Sequence, residues 1–251
     1  MMHLKPNLLK MQKTMLLPKH TVAIMQPYLL PYIGYFQLIA AVDTFVIYDN
    51  IKYTKKGWIN RNRFLQNNID VLFSLPLKND SDQLQICERE VADNFLAHKL
   101  LRQFAMAYQR APYFNKVYAL LEMIFTYTEK NLFSFLYHSV MLTCQFLEIT
   151  TPIRVSSSIA IDHTLKSQDK VLALCTALNA SHYINAIGGQ TLYTKEVFAQ
   201  KNIALYFLQT KPFEYSQFNN AFVPWLSIID VLMFNSPEVI HNTFLPHYEL
   251  V

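Results

Sequence analysis

Glycine is scarce in this chain, with only four among 251 residues, at Gly34, Gly57, Gly188 and Gly189. A dinucleotide-binding turn of the form G-x-G-x-x-G needs three closely spaced glycines, so the sequence excludes that motif. Because so few are present, each glycine is expected either to have a positive φ or to lie where another group approaches the backbone closely.

Cysteine is equally rare, and Cys87, Cys144 and Cys175 are far apart in the sequence. No C-x-x-C pair occurs, so the pattern predicts neither a disulfide framework nor a zinc site. His163 and His182 lack the spacing of metal ligands, so no metal is expected, and the sequence identifies no cofactor. Unpaired thiols are typical of the reducing cytoplasm, where we expect the protein to be located.

Charge is also sparse, since charged residues make up 16% of the chain and hydrophobic residues 52%. This composition excludes a disordered protein, and a net charge of +4 is too small to favour nucleic acid. Between residues 50 and 66 there are five basic residues and no acidic one: Lys52, Lys55, Lys56, Arg61 and Arg63. The patch predicts a small phosphate-bearing or acidic substrate.

Long hydrophobic runs are missing as well. Residues 1–20 contain no signal-peptide core and are expected to form a disordered tail. The uncharged stretch 131–147 is short for a membrane span and has a polar stripe at helical spacing, which favours a buried amphipathic helix over insertion. We therefore expect no membrane span, and the sequence does not predict the oligomeric state.

The remaining chain, residues 21–251, alternates strand and helix patterns and is expected to form a single α/β domain. Strands are predicted over residues 21–25, 44–48, 60–66, 69–75, 153–155, 182–186 and 204–208, and helices from 34, over 94–109, 114–128, 131–147 and 169–178, and from 227. Asn67-Asn68 is typical of a two-residue hairpin turn. The alternation predicts a mostly parallel, Rossmann-like sheet with a helical insertion at about 93–150.

Ligands of such sheets bind beyond the carboxyl ends of the strands. At that edge the sequence places Gln26 and Tyr28 after the first strand and Asp49 after the second. Ser157, within the run Ser156–Ser158, follows a later strand, and Gly188 and Gly189 follow another. These residues are the predicted substrate-binding edge, with Asp49 as a catalytic candidate that orients a hydroxyl or an amine.

Several motifs together carry a family resemblance. They are QPYLLPYIGYF, a D-x-F-V-x-x-D strand, W-I-N-R-N-R, Ala111 to Phe114, Ser156 to Ser158, Tyr215 to Gln217, and LSIIDVLMFN from Leu226. This set resembles the WbqC-like protein family over nearly all of the chain after Thr21. The resemblance implies a bacterial protein of surface-polysaccharide (O-antigen) biosynthesis, with a transferase role on activated amino sugars such as glycyl transfer.

The loop Tyr32-Ile33-Gly34-Tyr35 occupies the place of the H-x-G-H motif in nucleotidyltransferases, which have a similar strand–loop–helix arrangement. There the histidines contact phosphates at a helix N-terminus. Tyrosine carries no positive charge at neutral pH. Tyr32, Gly34 and Tyr35 are therefore either substrate-binding residues of a nucleotidyltransferase-like site or core residues of a fold that no longer uses the motif.

Asn60, Arg61 and Arg63 belong to the basic patch and to the W-I-N-R-N-R motif. On a strand both arginines lie on one face, where two guanidinium groups offer planar forks of donors for a phosphate or carboxylate. The alternative is an exposed edge strand whose cations discourage aggregation.

Ser227 and Asp230 combine a hydroxyl and a carboxylate in an otherwise apolar segment. Their spacing is also that of a helix capping box. Asp230 is kept as a catalytic candidate, because an acid in an apolar run needs a partner.

The sequence therefore predicts a cytoplasmic transferase that acts on a nucleotide-activated sugar or another phosphate-bearing metabolite. The alternatives are a nucleotidyltransferase-like enzyme with an altered H-x-G-H loop and a non-catalytic nucleotide- or metabolite-binding protein. No residue in the sequence stands out as a nucleophile.

Overall fold

The computed structural model describes residues 19–218 and 220–251, and its centre is a six-stranded sheet. The strands of this sheet are β1 (Thr21–Met25), β2 (Thr44–Ile47), β5 (Ile153–Val155), β6 (His182–Ala186), β7 (Ala204–Thr210) and β8 (Tyr248–Leu250), and β3 (Arg61–Gln66) and β4 (Ile69–Ser74) form a separate antiparallel hairpin. The order is β5-β2-β1-β6-β7-β8, and only β8 runs antiparallel to its neighbour. The predicted mostly parallel α/β sheet is confirmed.

The described helices surround this sheet. They are α1 (Ile33–Ala40), α2 (Ala97–Tyr108), α3 (Phe114–Phe125), α4 (Leu132–Phe146), α5 (Ser167–Ala177), α6 (Lys195–Ala199), α7 (Ile228–Phe234) and α8 (Pro237–Val239), which continues as a π-helical turn over Ile240–Phe244. The predicted helices in the insertion all form, each within a few residues of its predicted limits. The sequence analysis did not predict α6 and β8, which are short.

Apolar residues cover both faces of the sheet, as expected for parallel strands between helices. Along β1, Val22 and Ile24 pack in one hydrophobic cluster while Ala23 packs in another. The first cluster contains residues of α5 and α6. The second contains residues of α1, of α7 and of the inserted helices α2–α4. The molecule therefore has three layers, with the insertion on the α1 side.

The β3–β4 hairpin turns through Asn67 and Asn68, which have φ values of 52° and 63°. Asparagine tolerates this left-handed conformation, and the two-residue hairpin predicted from the sequence is confirmed. The hairpin packs against the insertion through Phe64 and Phe73, whose ring centroids each lie 5.1 Å from that of Phe104 on α2.

The glycines were predicted either to have a positive φ or to lie where another group approaches the backbone closely, and only the second alternative is found. None of the four has a positive φ. Three of them lie against close neighbours: a Cβ on Gly34 would be 2.8 Å from Thr210 Oγ1, one on Gly57 would be 3.2 Å from the carbonyl oxygen of Thr54, and one on Gly189 would be 3.2 Å from the Asn185 side chain. Close packing explains these glycines. Non-glycine residues adopt the left-handed backbone instead, and asparagine does so most often, at Asn67, Asn68, Asn179 and Asn202 of the described residues.

The uncharged segment 131–147 forms α4, a helix of 15 residues that packs in the core with Leu136 and Val140 fully buried. None of the helices in the described ranges is both long and apolar enough to cross a membrane. The predicted tail falls mainly on residues 1–18, which lie outside the described residues. His20 is already part of the fold, because its N–H donates to Ser181 Oγ at 2.9 Å.

Candidate functional site

Asp49 lies directly beyond the carboxyl end of β2 and is only 4% exposed. Strand β2 pairs in parallel with β5, with Ile47 opposite Val155, so the residues that follow both strands reach the same edge. The Ser156 hydroxyl donates to Asp49 Oδ1 at 2.6 Å, and the Ser157 N–H donates to the same oxygen at 2.9 Å. The structure therefore brings Asp49 and Ser157 into direct contact.

A chain of polar groups extends from Asp49 toward α5. Asn50 Oδ1 lies 2.8 Å from Ser156 Oγ, and Asn50 Nδ2 donates to His163 Nδ1 at 2.9 Å. His163 Nε2 lies 3.0 Å from the carbonyl oxygen of Ile159, so both ring nitrogens have a polar neighbour. We call the group Asp49, Asn50, Ser156, Ser157, His163 and Lys170 the edge cluster.

Lys170 is the member of the edge cluster that sequence reasoning missed. It lies on α5, is 4% exposed, and its ammonium group donates to the carbonyl oxygen of Asn50 at 3.2 Å and lies 5.2 Å from the centre of the Tyr48 ring. Burial lowers the pKa of Lys170, and the nearby Asp49 carboxylate partly opposes that shift. Helical spacing could have identified this lysine, because it shares a face with Leu174, four residues on and fully buried.

Tyr28, in the loop after β1, and Tyr35, in the first turn of α1, both pack against the core. Tyr28 and Tyr35 meet edge to face with ring centroids 5.2 Å apart, and the Tyr28 hydroxyl accepts from the Tyr32 N–H at 3.2 Å. The Tyr35 hydroxyl is buried and has no hydrogen-bond partner among the described residues, and burial raises its pKa well above the ordinary value. Tyr35 therefore packs as a core residue.

Tyr32 is half-buried and packs against an exposed tryptophan. Its ring centroid lies 5.3 Å from that of Trp225, which is 69% exposed and has a φ of 62°. Burial raises the pKa of Tyr32 to about 12. Gly34, at the start of α1, packs against Thr210 at the end of β7, so the N-terminus of α1 lies at the carboxyl edge of the sheet. Gln26, directly after β1, is half-buried there.

Arg61 and Arg63 share one face of β3, as predicted, and both guanidinium groups lie on the Trp58 ring, 5.6 and 5.2 Å from its centre. Arg61 Nε donates to the carbonyl oxygen of Gly57 at 2.9 Å, and Arg63 forms an exposed ion pair of 2.9 Å with Asp70. No hydrogen bond or ion pair within the described ranges joins either arginine to Asp49. The arginines and the edge cluster are therefore separate groups.

Two other predicted residues have structural contacts. Asn60 Nδ2 donates to the carbonyl oxygen of Leu75 at 2.7 Å, while its Oδ1 accepts from the Tyr53 hydroxyl at 2.8 Å, so Asn60 fixes the entry to the hairpin. Gly189, which follows β6, packs closely against the Asn185 side chain. A Cβ on Gly188 would meet no atom within 4 Å. Of these residues, Gly188 is the one that faces open space.

Asp230 is fully buried and both of its carboxylate oxygens are occupied. Oδ1 accepts from the Tyr108 hydroxyl at 2.9 Å, and Oδ2 accepts from the Tyr215 hydroxyl at 2.7 Å and from Gln217 Nε2 at 2.6 Å. No cation in the described structure pairs with it. Asp230 therefore ties α7 to α2 and to the loop after β7, and its catalytic role stays a prediction.

The predicted capping box at Ser227 is only half correct. Ser227 caps α7, since its hydroxyl oxygen accepts from the Ile229 N–H at 3.3 Å. The reciprocal bond is missing, because the Ser227 N–H donates to the carbonyl oxygen of Arg63 and the Asp230 carboxylate faces the interior. The Asp230 carboxylate therefore accepts hydrogen bonds from the buried donors around it and not from the Ser227 N–H.

Burial should make the stability contributed by Asp230 depend on pH. It raises the pKa of Asp230 above the ordinary 3.8, while the hydrogen bonds from Tyr215, Gln217 and Tyr108 partly offset that shift. For a raised pKa, the stabilisation is complete below the unfolded-state value and is lost as the pH rises through the folded-state value. Thermal melts of wild type and Asp230→Asn should therefore differ more at pH 4 than at pH 7. An equal or larger difference at pH 7 would contradict the raised pKa.

Comparisons with known proteins identify a family and a relative. The model of the WbqC-like protein family matches residues 26–242. The uncharacterized protein Rv1507c of Mycobacterium tuberculosis (strain ATCC 25618 / H37Rv) is 28% identical over 214 residues, which cover 84% of this chain and 92% of that protein. No solved structure matches the chain.

Proposed function

The chain belongs to the WbqC-like protein family, and from that membership we propose that it is a transferase acting on a nucleotide-activated amino sugar or a similar phosphate-bearing metabolite. The transferred group is an aminoacyl group, of which glycyl is the simplest, and the product serves bacterial surface-polysaccharide biosynthesis. We place the reaction in the cytoplasm, because Cys87, Cys144 and Cys175 are all free thiols.

The observation that carries this proposal is the position and state of Asp49. It is a buried carboxylate at the carboxyl edge of a mostly parallel sheet, with one oxygen held by Ser156 and Ser157 and the other without a partner in the described structure. Ligands of open α/β sheets bind at that edge. A fixed carboxylate with one unpaired oxygen is suited to accept a hydrogen bond from an acceptor hydroxyl or amine and to orient it for attack.

The strand order supports a nucleotide ligand. Numbered in chain order within the main sheet, the order β5-β2-β1-β6-β7-β8 becomes 3-2-1-4-5-6, the order of doubly wound, Rossmann-like nucleotide-binding sheets. In that order the topological switch point, where successive strands begin to be added on the other side of β1, lies between β1 and β6. Gln26 follows one of these strands and Gly188 the other.

The decisive experiment is a thermal-shift screen of the full chain against nucleotides, nucleotide sugars and aminoacyl donors, followed by mass spectrometry of reaction mixtures. The proposal predicts a rise in melting temperature with a nucleotide sugar and a transferred mass on that sugar, and Asp49→Asn should lose the transfer. Absence of both the thermal shift and the transfer with every nucleotide sugar would refute it.

A second function, nucleotide binding without catalysis, is favoured by one specific observation. Tyr35 stands where the nucleotidyltransferase motif has its second histidine, and its hydroxyl lies in the core next to Tyr28, away from a phosphate. Saturable nucleotide-sugar binding with no product under any donor would support this function instead.

The arginines on β3 are expected to hold the anionic end of such a substrate. The exposed Arg63–Asp70 pair contributes at most about 1 kcal/mol, so a phosphate can displace Asp70. Replacing Arg61 or Arg63 with alanine should weaken binding of a nucleotide sugar about tenfold or more, and lysine should recover only part of that loss. Calorimetric titration at two salt concentrations measures this.

The matched variant for this test is Asp70→Asn, which frees Arg63 without removing a cation. It should strengthen anion binding, most clearly at the lower salt concentration. Unchanged affinity in both alanine variants, at wild-type melting temperature, would reduce the arginines to supports for the Trp58 ring.

A further inference from the structure

Lys170 is a buried cation that the function proposed above does not use. Its ammonium group can donate three hydrogen bonds, and within the described residues it donates one, to the carbonyl oxygen of Asn50 at 3.2 Å. No carboxylate of the described structure lies within ion-pair distance of it. At 4% exposure, such an incompletely bonded charge is costly to fold around unless it meets a ligand.

Asp49, at the same edge, is a carboxylate whose hydrogen bonding is also incomplete. Asp49 is the immediate neighbour in the chain of Asn50, whose carbonyl oxygen Lys170 contacts. Asp49 Oδ2 accepts no hydrogen bond from the described residues. The two opposite charges thus lie at the same edge of the sheet without an ion pair between them. Burial lowers the pKa of Lys170 while Asp49 raises it, in keeping with two charges that are near but not paired.

The two charges together restrict what can lie between them. A phosphate or carboxylate would be attracted by Lys170 but repelled by Asp49, and an ammonium group would meet the reverse, so the two interactions oppose each other for any charged group. A neutral group that donates one hydrogen bond and accepts another satisfies both, and in a sugar that group is a hydroxyl. The Tyr48 ring, 5.2 Å from the ammonium, adds an aromatic surface of the kind that sugar rings contact.

We infer that Asp49 and Lys170 form a two-point subsite for one sugar hydroxyl of the substrate, in which Asp49 Oδ2 accepts its proton and the Lys170 ammonium donates to its oxygen. The inference rests on the proposed function for the identity of the whole ligand. It assigns Lys170 as a positioning residue and makes no use of it as a nucleophile. The hydroxyl belongs either to the attached hexose, where it is the acceptor that Asp49 orients, or to the ribose, in which case Asp49 holds the nucleotide and does not orient the acceptor.

The test is calorimetric titration of wild type and Lys170→Met with two probes, UDP-N-acetylglucosamine and UDP. Methionine keeps the apolar stem and removes the charge. Loss of one charge-assisted hydrogen bond should weaken binding about tenfold or more. A loss confined to UDP-N-acetylglucosamine identifies the hexose hydroxyl, and an equal loss for both probes identifies the ribose. Asp49→Asn should weaken the same probe, and adding it to Lys170→Met should have little further effect.

Lys166→Met is the matched control, because Lys166 lies just before α5, four residues from Lys170, and is exposed. It should bind both probes like wild type. Lys170→Met should melt within about 3 °C of wild type, since the lysine has little bonding to lose in the folded protein. Unchanged affinity for both probes in Lys170→Met, or a melting temperature lower by more than about 5 °C, would overturn the subsite and make Lys170 a structural residue.

The proposed function and the subsite can fail separately. If wild type binds UDP-N-acetylglucosamine and all variants bind it equally, the subsite is wrong and the proposed function stands. If wild type binds neither probe, the proposed function fails for this class of nucleotide sugar, and the melting temperature of Lys170→Met decides the subsite. A melting temperature no more than about 5 °C below that of wild type then supports a lysine kept for a ligand, and a larger drop refutes it.

Discussion

Replacing Asp230 with alanine is expected to lower the free energy of unfolding by about 3 kcal/mol or more, because three buried donors lose their acceptor at once. Tyr108, Tyr215 and Gln217 all donate to this carboxylate. Each donor left without a partner costs about 1–3 kcal/mol, and partial rehydration of Tyr215 moderates the sum. For a chain of this length the melting temperature should fall by about 6–12 °C.

Thermal and urea unfolding of the full chain measure this loss. Asp230→Asn should fall between wild type and alanine, since an amide oxygen can still accept from one of the tyrosines. Glu122→Ala is the matched control, because Glu122 is an exposed acid on α3, and it should stay within about 0.5 kcal/mol of wild type. An Asp230→Ala protein as stable as that control would mean that the three hydrogen bonds contribute nothing, and it would favour the predicted catalytic role of Asp230 over a structural one.

The outcome at Asp230 illustrates what a sequence pattern can and cannot specify. The pattern correctly indicated that an acid in the apolar segment LSIIDVLMF needs a partner. The local partner suggested by spacing was the helix cap at Ser227, yet the actual partners include Tyr108, which is 122 residues away in the sequence. Tertiary partners of this kind follow from how the layers pack, and helical or strand periodicity carries no information about them.

Prediction succeeded where one physical rule fixed the positions. Parallel strands end at a common edge, so residues placed directly after strands had to meet there, and Asp49 and Ser157 do. Lys170 was missed because it approaches that edge sideways from α5. The sequence left two interpretations for Tyr32 and Tyr35, and their positions in the structure differ: Tyr35 is buried in the core, and Tyr32 is half-buried against Trp225.

The helical insertion and the hairpin were predicted as separate elements, and the sequence did not indicate that they pack on each other. Phe104 on α2 makes that contact. Its ring centroid lies 5.1 Å from those of Phe64 and Phe73 on the hairpin and 5.8 Å from that of Phe125 on α3, and the side chain is fully buried. Arg61 and Arg63 lie on the same hairpin, so Phe104 also fixes the support of the basic patch.

Replacing Phe104 with alanine should therefore lower the free energy of unfolding of the whole chain by about 3–5 kcal/mol, through lost burial and the cavity left between three rings. Met106→Ala on the same helix is the control, because Met106 is 66% exposed and its loss should change the free energy of unfolding by less than about 0.5 kcal/mol. Urea unfolding followed by tryptophan fluorescence and by circular dichroism tests cooperativity. The measurement uses a Trp225→Phe background, so that the fluorescence of Trp58 alone reports on the start of the hairpin while circular dichroism reports on the helices. Coincident transitions shifted together in Phe104→Ala would then show one folding unit. Separate transitions, with only the helical signal shifted, would show that the insertion folds independently of the hairpin.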